Sequence, residues 1–384
     1  MKCHLTLPLA LTAVSLLVAL CTGGTLFYML ALLVMLIVAL GLIGVLWASA
    51  SFRISAELSE ATVRRGEDVM LLLSVRHRGW IPIAPMLLEL TSASSGSREV
   101  RLRDMPGRQQ TLRMPFHASH VGVFSSGVQS CVIEDLLGIF ERKVPLQDTL
   151  FELVVYPRTF DTDPLTLAPG DPGSEIMAKA TEDLSAPSDV REYQAGDAMK
   201  KIHWKLSLRK GELMVRKFDE PILQDVLILM DCSRPPSWGH ARAEADVRDT
   251  LLETAASVYC DQVRTDHSVR LPLLGKRPVD IDKGMGIPIA LNYLSRVDFS
   301  ETDRFERVLM MESARLRKVG CVAVIAARLT SAMVDIMIRM HRTGPNIRLY
   351  LITFAPEDAN VVPLVGRLQH AGIEVVFQMP ERSD

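Results

Sequence analysis

Residues 190–221 read V-R-E-Y-Q-A-G-D-A-M-K-K-I-H-W-K-L-S-L-R-K-G-E-L-M-V-R-K-F-D-E-P. They divide the chain into two kinds of sequence. Upstream lie a long apolar run and then short alternating stretches. Downstream, a continuous apolar segment at Val226–Met230 opens a series of strand-like and helix-like stretches. Within the dividing stretch, Gly196 ends an extended piece. Asp197 is a suitable N-cap for a short helix carrying Met199, Ile202, His203 and Leu206 at helical spacing. Lys200, Lys201 and Lys205 then fall mostly on the other side. Lys210-Gly211 predicts a turn, because glycine tolerates the positive φ that ends helices, and Glu212–Phe218 reads as extended. Physics alone allows a plain reading of the same residues as a solvated basic helix between two domains.

The ordered series Arg191-Glu192-Tyr193-Gln194-x-Gly196-Asp197, then Ile202-His203-Trp204-Lys205-x-Ser207, then Arg209-Lys210-Gly211-Glu212-Leu213-x-Val215-Arg216 resembles the signature of the domain of unknown function 58 family. The resemblance implies a bacterial protein with membrane helices, a β-sandwich, this signature as an interaction element, and a domain like the von Willebrand factor A fold. It also implies a MoxR-type AAA+ ATPase as partner.

The length of 384 residues leaves room for two or three domains that each bury a core. The boundaries read as residues 1–50, 51–156, 157–189, 190–221 and 222–384. A formal net charge of −2 gives no global basic field. The eight Lys/Arg of residues 190–221 are offset by five acidic residues, which argues against a nucleic-acid surface. Cys3, Cys21, Cys131, Cys232, Cys260 and Cys321 form no C-x-x-C pair, so neither a zinc site nor a disulfide framework is expected, and a reducing compartment is the simplest setting.

From Leu5 to Ala48 there is no charged side chain, and Cys21-Thr22-Gly23-Gly24-Thr25 interrupts the run. Two membrane spans joined by a tight turn fit this. Leu5–Leu20 falls short of the ~20 residues a spanning helix needs and Leu26–Trp47 is long enough. Lys2 on one flank and Arg53, Arg64 and Arg65 on the other place both ends, and the soluble bulk, in the cytoplasm. A signal peptide is the alternative for the first segment, but Leu20 stands where a lipoprotein cleavage site needs a small residue.

After Ser51 the sequence alternates at Phe52–Leu58, Val69–Val75, Met86–Leu90, Arg98–Leu102, Gln110–Phe116 and Val128–Ile133, with glycine turns between. This predicts an antiparallel sandwich of immunoglobulin-like type. Trp80, Pro82 and Pro85 mark an extended edge or hairpin. Glu134–Phe140 is similar to the family's Asp-Pro-Phe-Gly-Leu-Phe, with Leu136-Leu137 in place of Pro-Phe. His117 and His120 flank a turn with no carboxylate pair near them in sequence, and read as exposed loop histidines.

Beyond residue 222, helix-like and strand-like stretches alternate, as in a parallel sheet with helices on both faces, a doubly wound α/β domain. The central strand is Val226–Met230, with Asp231 at its carboxyl end, where such folds bind ligands. A von Willebrand A domain holds Mg²⁺ through D-x-S-x-S, a later threonine and often an aspartate. This chain offers Asp231, Ser233 and Thr302, but Pro235 replaces the last serine, and Ala327-Arg328 stands where the aspartate is expected. A hydroxyl and a carboxylate are thus lost from an ion that needs about six oxygens. An arginine there would partly replace the cation's charge. The favoured reading is a fold-preserving Asp231 that caps its own turn. Gly284-Met285-Gly286 lacks the rest of a dinucleotide loop, and Cys260 with His267 lacks an orienting partner.

The functional expectation is a non-catalytic, membrane-anchored, cytosol-facing adaptor working with a MoxR-type ATPase in the assembly or maturation of client proteins. The alternatives are Mg²⁺-dependent recognition or hydrolysis at Asp231, Ser233 and Thr302, and an envelope protein with its soluble part outside.

Overall fold

The structure is a computed structural model of the chain. It describes residues 2–3, 6–23, 25–77, 86–92, 96–102, 109–135, 138–144, 146, 149–166, 189–193, 202–217, 225–236, 241–273, 279–299, 305–316 and 319–382. Gly196, Asp197, Thr302, Trp80, Pro82, Pro85, Leu136-Leu137 and most of the connection 157–189 lie outside them. Two compact units divide the chain, Met1–Pro157 and Arg158–Asp384.

In the first unit, β1 (Lys2–Cys3) is followed by the apolar helices α1 (Thr6–Thr22) and α2 (Thr25–Ser51). Among the described residues, α2 alone is both long and apolar enough to cross a membrane. α1, at 17 residues, is short of that length, so the described structure supports one candidate span where the sequence suggested two. Leu32, Met35, Leu36 and Leu40 of α2 are exposed, whereas Val45 and Ala48 are buried. Ala48 joins the core of the β-strands that follow.

The strands of this unit are β2 (Phe52–Leu58), β3 (Thr62–Arg64), β4 (Asp68–His77), β5 (Met86–Ser92), β6 (Gly96–Leu102), β7 (Gln109–His117), β8 (Gly122–Glu134), β9 (Phe140–Val144) and β10 (Leu150–Tyr156). They form two sheets. One is the antiparallel set β2-β4-β7; the other runs β1-β9-β8-β10-β3, with β5 joining β8 to β6. Alternation of the kind predicted decides which side faces in: Leu71, Leu73 and Val75 from β4 meet Leu88, Leu90, Val128 and Ile133 from the larger sheet in one core. Three of these strands, β3, β9 and β10, were not expected. Each is held by pairing to β8 or β10 rather than by a distinct local pattern. Gly127 is required where β8 meets β10, because a Cβ there would stand 2.0 Å from the Thr149 carbonyl oxygen. His117 is not in a loop as expected. It ends β7 with Nδ1 2.8 Å from Asp68 on β4, a carboxylate near in space but remote in sequence.

The second unit begins with a strap along its own surface. Arg158 pairs with Glu253 at 3.0 Å and with Glu381. The Phe160 amide donates to Ser257 Oγ, and Asn346 and Arg348 donate to the carbonyls of Thr166 and Asp163. A small antiparallel pair, β11 (Asp189–Glu192) and β12 (Met214–Lys217), brackets α3 (Trp204–Lys210). The main sheet is built from β13 (Asp225–Met230), β14 (Val269–Leu273), β15 (Val279–Asp282), β16 (Val319–Ala326), β17 (Asn346–Ile352) and β18 (Glu374–Gln378) in the order β15-β14-β13-β16-β17-β18. All neighbours are parallel except β14 and β15. Its helices are α4 (Ala241–Arg264), α5 (Ile287–Ser295), α6 (Phe305–Ser313), α7 (Ser331–Arg342) and α8 (Val362–His370).

Burial on both faces explains the unbroken apolar runs of β13 and β16. Leu227, Leu229, Val322, Val324, Leu349 and Leu351 pack against Met333, Met337 and Met340 of α7 and Val365 and Leu368 of α8. On α4, Thr250, Thr254 and Ser257 are buried and donate to the carbonyls four residues back, at 2.8, 2.7 and 2.6 Å, which satisfies their hydroxyl protons within the helix and leaves Ser257 Oγ to accept from Phe160. Edge strand β15 was not foreseen; its register is set by antiparallel pairing with β14.

Candidate functional site

Two places in the second unit bring together the residues singled out by the sequence. The first is the signature. Its helix is shorter than expected, beginning at Trp204 with His203 as N-cap, whose Nδ1 accepts from the Leu206 amide at 3.3 Å. Ile202 and His203 are not helical. Ile202 bridges to Val215 and is buried, and the His203 amide donates to the Met214 carbonyl at 2.8 Å. Pairing with β12 has taken precedence over the helical spacing, which Ile202 shares with Leu206.

The helix ends as predicted. Arg209 and Lys210 occupy its last turn, where cations complement the helix dipole, and Gly211 adopts φ 77° with its N–H on the Ser207 carbonyl at 2.8 Å. Ser207, which the sequence reading passed over as a motif letter, is the pivot. Its hydroxyl accepts from the Met214 amide at 2.8 Å and donates to the His203 carbonyl at 3.1 Å, in a buried position. On β11, Arg191 and Glu192 are paired with Val215 and Met214, the Tyr193 amide donates to the Leu213 carbonyl, and Arg216 on β12 faces Val190 in register. Trp204, Lys205 and Glu212 are exposed. The signature therefore folds itself: its backbone and Ser207 close a strand–helix–strand unit over buried Ile202, Met214 and Val215, and Trp204, Lys205 and Glu212 stay outside.

The second place is the carboxyl end of β13. Asp231 is 3% exposed, and its Oδ1 accepts from the Ser233 amide at 2.9 Å and from the Ser233 hydroxyl at 2.5 Å. This is the side-chain-capped turn expected of Asp231. Arg328, just past β16, brings its guanidinium to the same point, donating to Ser233 Oγ with Nε 3.7 Å from Asp231 Oδ2. Burial pushes the Asp231 carboxyl above its ordinary value, opposed by the Ser233 hydrogen bonds and the Arg328 charge; the neighbouring Glu306 carboxylate adds to the rise. Glu306 itself accepts from Thr330 Oγ1 at 2.8 Å, and that hydroxyl also caps α7 by accepting from the Met333 amide. Glu306 and Thr330 carried no sequence signal, because they come from two helices whose approach is set only by the fold. Pro235 is buried nearby in sequence and offers no hydroxyl.

Two oxygens that could ligate a hard cation are thus already joined to each other and to a guanidinium. The remaining oxygens expected of a six-oxygen shell are not supplied by Ala327 or Pro235. Elsewhere, His267 bonds Gln262 at 2.9 Å and Thr265 at 3.1 Å, and Cys260 is buried on α4, so the pair forms no visible relay. A cavity of about 220 Å³ opens at the opposite edge of the sheet beside Cys321, Arg348 and Glu374. Arg348 is engaged there by Glu374 and Asp163, and burial pushes the Cys321 thiol up to about 12, which makes it a poor nucleophile.

Residues 189–285 match the family described as protein of unknown function DUF58. Over this stretch the chain is similar to the DUF58 family. The DUF58 match takes in β11, α3, β12 and the sheet from β13 through β15, so both places described above, apart from Glu306, Ala327, Arg328 and Thr330, fall inside it. A curated relative, the uncharacterized protein YeaD of Bacillus subtilis (strain 168), is 22% identical over 242 residues, which covers 60% of this chain and 58% of that one. The matched region is therefore under two thirds of the relative's length. Among solved structures, the CARDB domain of the PF1109 protein of Pyrococcus furiosus is 10% identical with TM-score 0.21, covering 27% of this chain and 93% of that one. The sporulation control protein Spo0M of Bacillus subtilis is 14% identical with TM-score 0.17, covering 38% and 58%. Likenesses of that size carry no argument about this chain.

Proposed function

We propose that this chain is a membrane-anchored, non-catalytic adaptor. In this reading, α1 and α2 form a two-span hairpin with both ends in the cytoplasm. The first unit's sheets are an immunoglobulin-like module, and the second unit is a von Willebrand factor A-like domain that recognises protein. One observation carries it: the Arg328 guanidinium sits on Asp231 and Ser233, the two groups that would otherwise hold a metal. A cation tethered to the fold has taken the place of an exchangeable one, so the strand end can act by shape and charge without loading.

The partner, a MoxR-type AAA+ ATPase acting on client proteins, comes from the resemblance of the signature and has only the force of analogy. The topology rests on the charge bias, with Lys2 before the apolar run and Arg53, Arg64 and Arg65 after it. Co-purification of the full-length protein from native membranes in mild detergent tests the partner. Recovery of an AAA+ ATPase is expected, and its repeated absence contradicts the assignment. Mg²⁺-dependent recognition or hydrolysis at Asp231, Ser233 and Thr302 is the competing reading, and it requires that Mg²⁺ displace Arg328.

A further inference from the structure

On helix α3 the small polar residue Ser207 is inside, while large apolar residues are outside: Trp204 is 57% exposed, Leu208 84% and the following Leu213 45%. Trp204 and Leu208 are four apart and so stand one above the other on one face. Lys205 and Arg209, also four apart, flank that face, and Lys210 closes the helix; all three are exposed, and α3 contains no carboxylate. Nothing in the helix's own packing needs Trp204 or Leu208, since its inward contacts run through Ser207 and Met214.

We infer that this face of α3 docks on the anionic headgroup layer of a lipid bilayer, with Trp204 and Leu208 entering the interface and Lys205, Arg209 and Lys210 against lipid phosphates. The inference rests on the reading that α2 holds the chain at a membrane. Two observations favour lipid over protein. The face couples tryptophan and leucine to cations, the composition of helices that lie in the membrane interface. The apolar α2, read as an anchor, ties the chain to a bilayer, and a weak contact with that bilayer then counts as intramolecular. Each cation near an anionic surface strengthens the attraction about fivefold.

The experiment uses the full-length protein reconstituted into vesicles. Tryptophan occurs only at positions 47, 80, 204 and 238, so Trp47→Phe, Trp80→Phe and Trp238→Phe together leave Trp204 as sole reporter. Flotation at alkaline pH and high salt first tests anchoring by itself. Quenching of Trp204 by lipids brominated near the headgroup end of their chains then tests docking. In phosphatidylglycerol-containing vesicles strong quenching is expected. It should fall with phosphatidylcholine alone or at 1 M salt, where charges are screened beyond roughly 3 Å. Lys205→Glu with Arg209→Glu should weaken docking at least roughly 25-fold, counting only the loss of two cations. Leu208→Asp in the wild-type tryptophan background, read by an unchanged circular dichroism spectrum and increased protease access to α3, guards against a folding artefact. A protein that floats but leaves Trp204 unquenched overturns the inference, keeps the anchor and gives the face to a protein. Equal quenching in both lipids overturns the electrostatic half. Failure to float removes the anchor and the inference together.

Discussion

The carboxyl end of β13 and the outer face of α3 lie in the same unit and are opposites. At the strand end the described groups that could do chemistry are joined to one another: Asp231 to Ser233, Ser233 to Arg328, Glu306 to Thr330. On α3 the groups turned inward serve only the fold, and the exposed ones, Trp204 and Leu208, have been left out of the core. The difference teaches where to look for function in this molecule. At the place that topology nominates for a ligand the protein's own arginine contacts the acidic and hydroxyl groups, and at the signature the apolar side chains Trp204 and Leu208 are exposed.

The contrast can be broken most forcefully at the strand end. Arg328→Ala removes the cation from a buried carboxylate and should cost about 2–3 kcal/mol in denaturant unfolding, below the 3–5 of a fully buried pair because Arg328 is half exposed. Ser207→Ala leaves the buried Met214 amide without an acceptor, and a loss of about 1–2 kcal/mol is expected. His203→Ala deletes a long N-cap bond and should cost about 0.5–1 kcal/mol, with His203→Asn recovering most of it. Trp204→Ala and Leu208→Ala should change stability by no more than about 0.5 kcal/mol, as expected of exposed positions. If either of the last two unfolded the protein, the distinction between a structural inside and a functional outside of α3 would fail.

pH sharpens the same contrast, because the strand end holds a carboxyl whose pKa is raised. The folded pKa of Asp231 is raised, so the native state holds that proton more tightly than the unfolded chain. Its contribution to stability is therefore fully present below the ordinary value of 3.8 and is lost as pH rises through the raised folded value. Asp231→Asn keeps an oxygen for the Ser233 amide and should flatten that decline in a pH series of urea unfolding curves. Arg328→Ala removes the opposing charge and should extend the decline to higher pH.

Much of this architecture was legible in the sequence. Alternation placed most strands of the first unit, and the apolar run at Val226–Met230 gave the central strand. Local patterns failed where pairing alone decides the structure. Ile202 carries helical spacing yet serves as a bridge to Val215, and β3, β9, β10 and β15 exist because a neighbour offers hydrogen bonds. The strand-end residues Asp231, Ser233 and Arg328 could be found because they follow strands. Glu306 and Thr330 could not, since nothing local to either records that α6 and the start of α7 meet.

The central claim is that Arg328 stands where a metal would. Calorimetric titration of Mg²⁺ into the full-length protein in detergent tests it most directly, with Arg328→Ala and Asp231→Asn run alongside. The account predicts no saturable heat and no Mg²⁺-dependent rise in Tm for the wild type. A stoichiometric binding curve that Asp231→Asn abolishes would contradict it and return the strand end to metal-dependent chemistry.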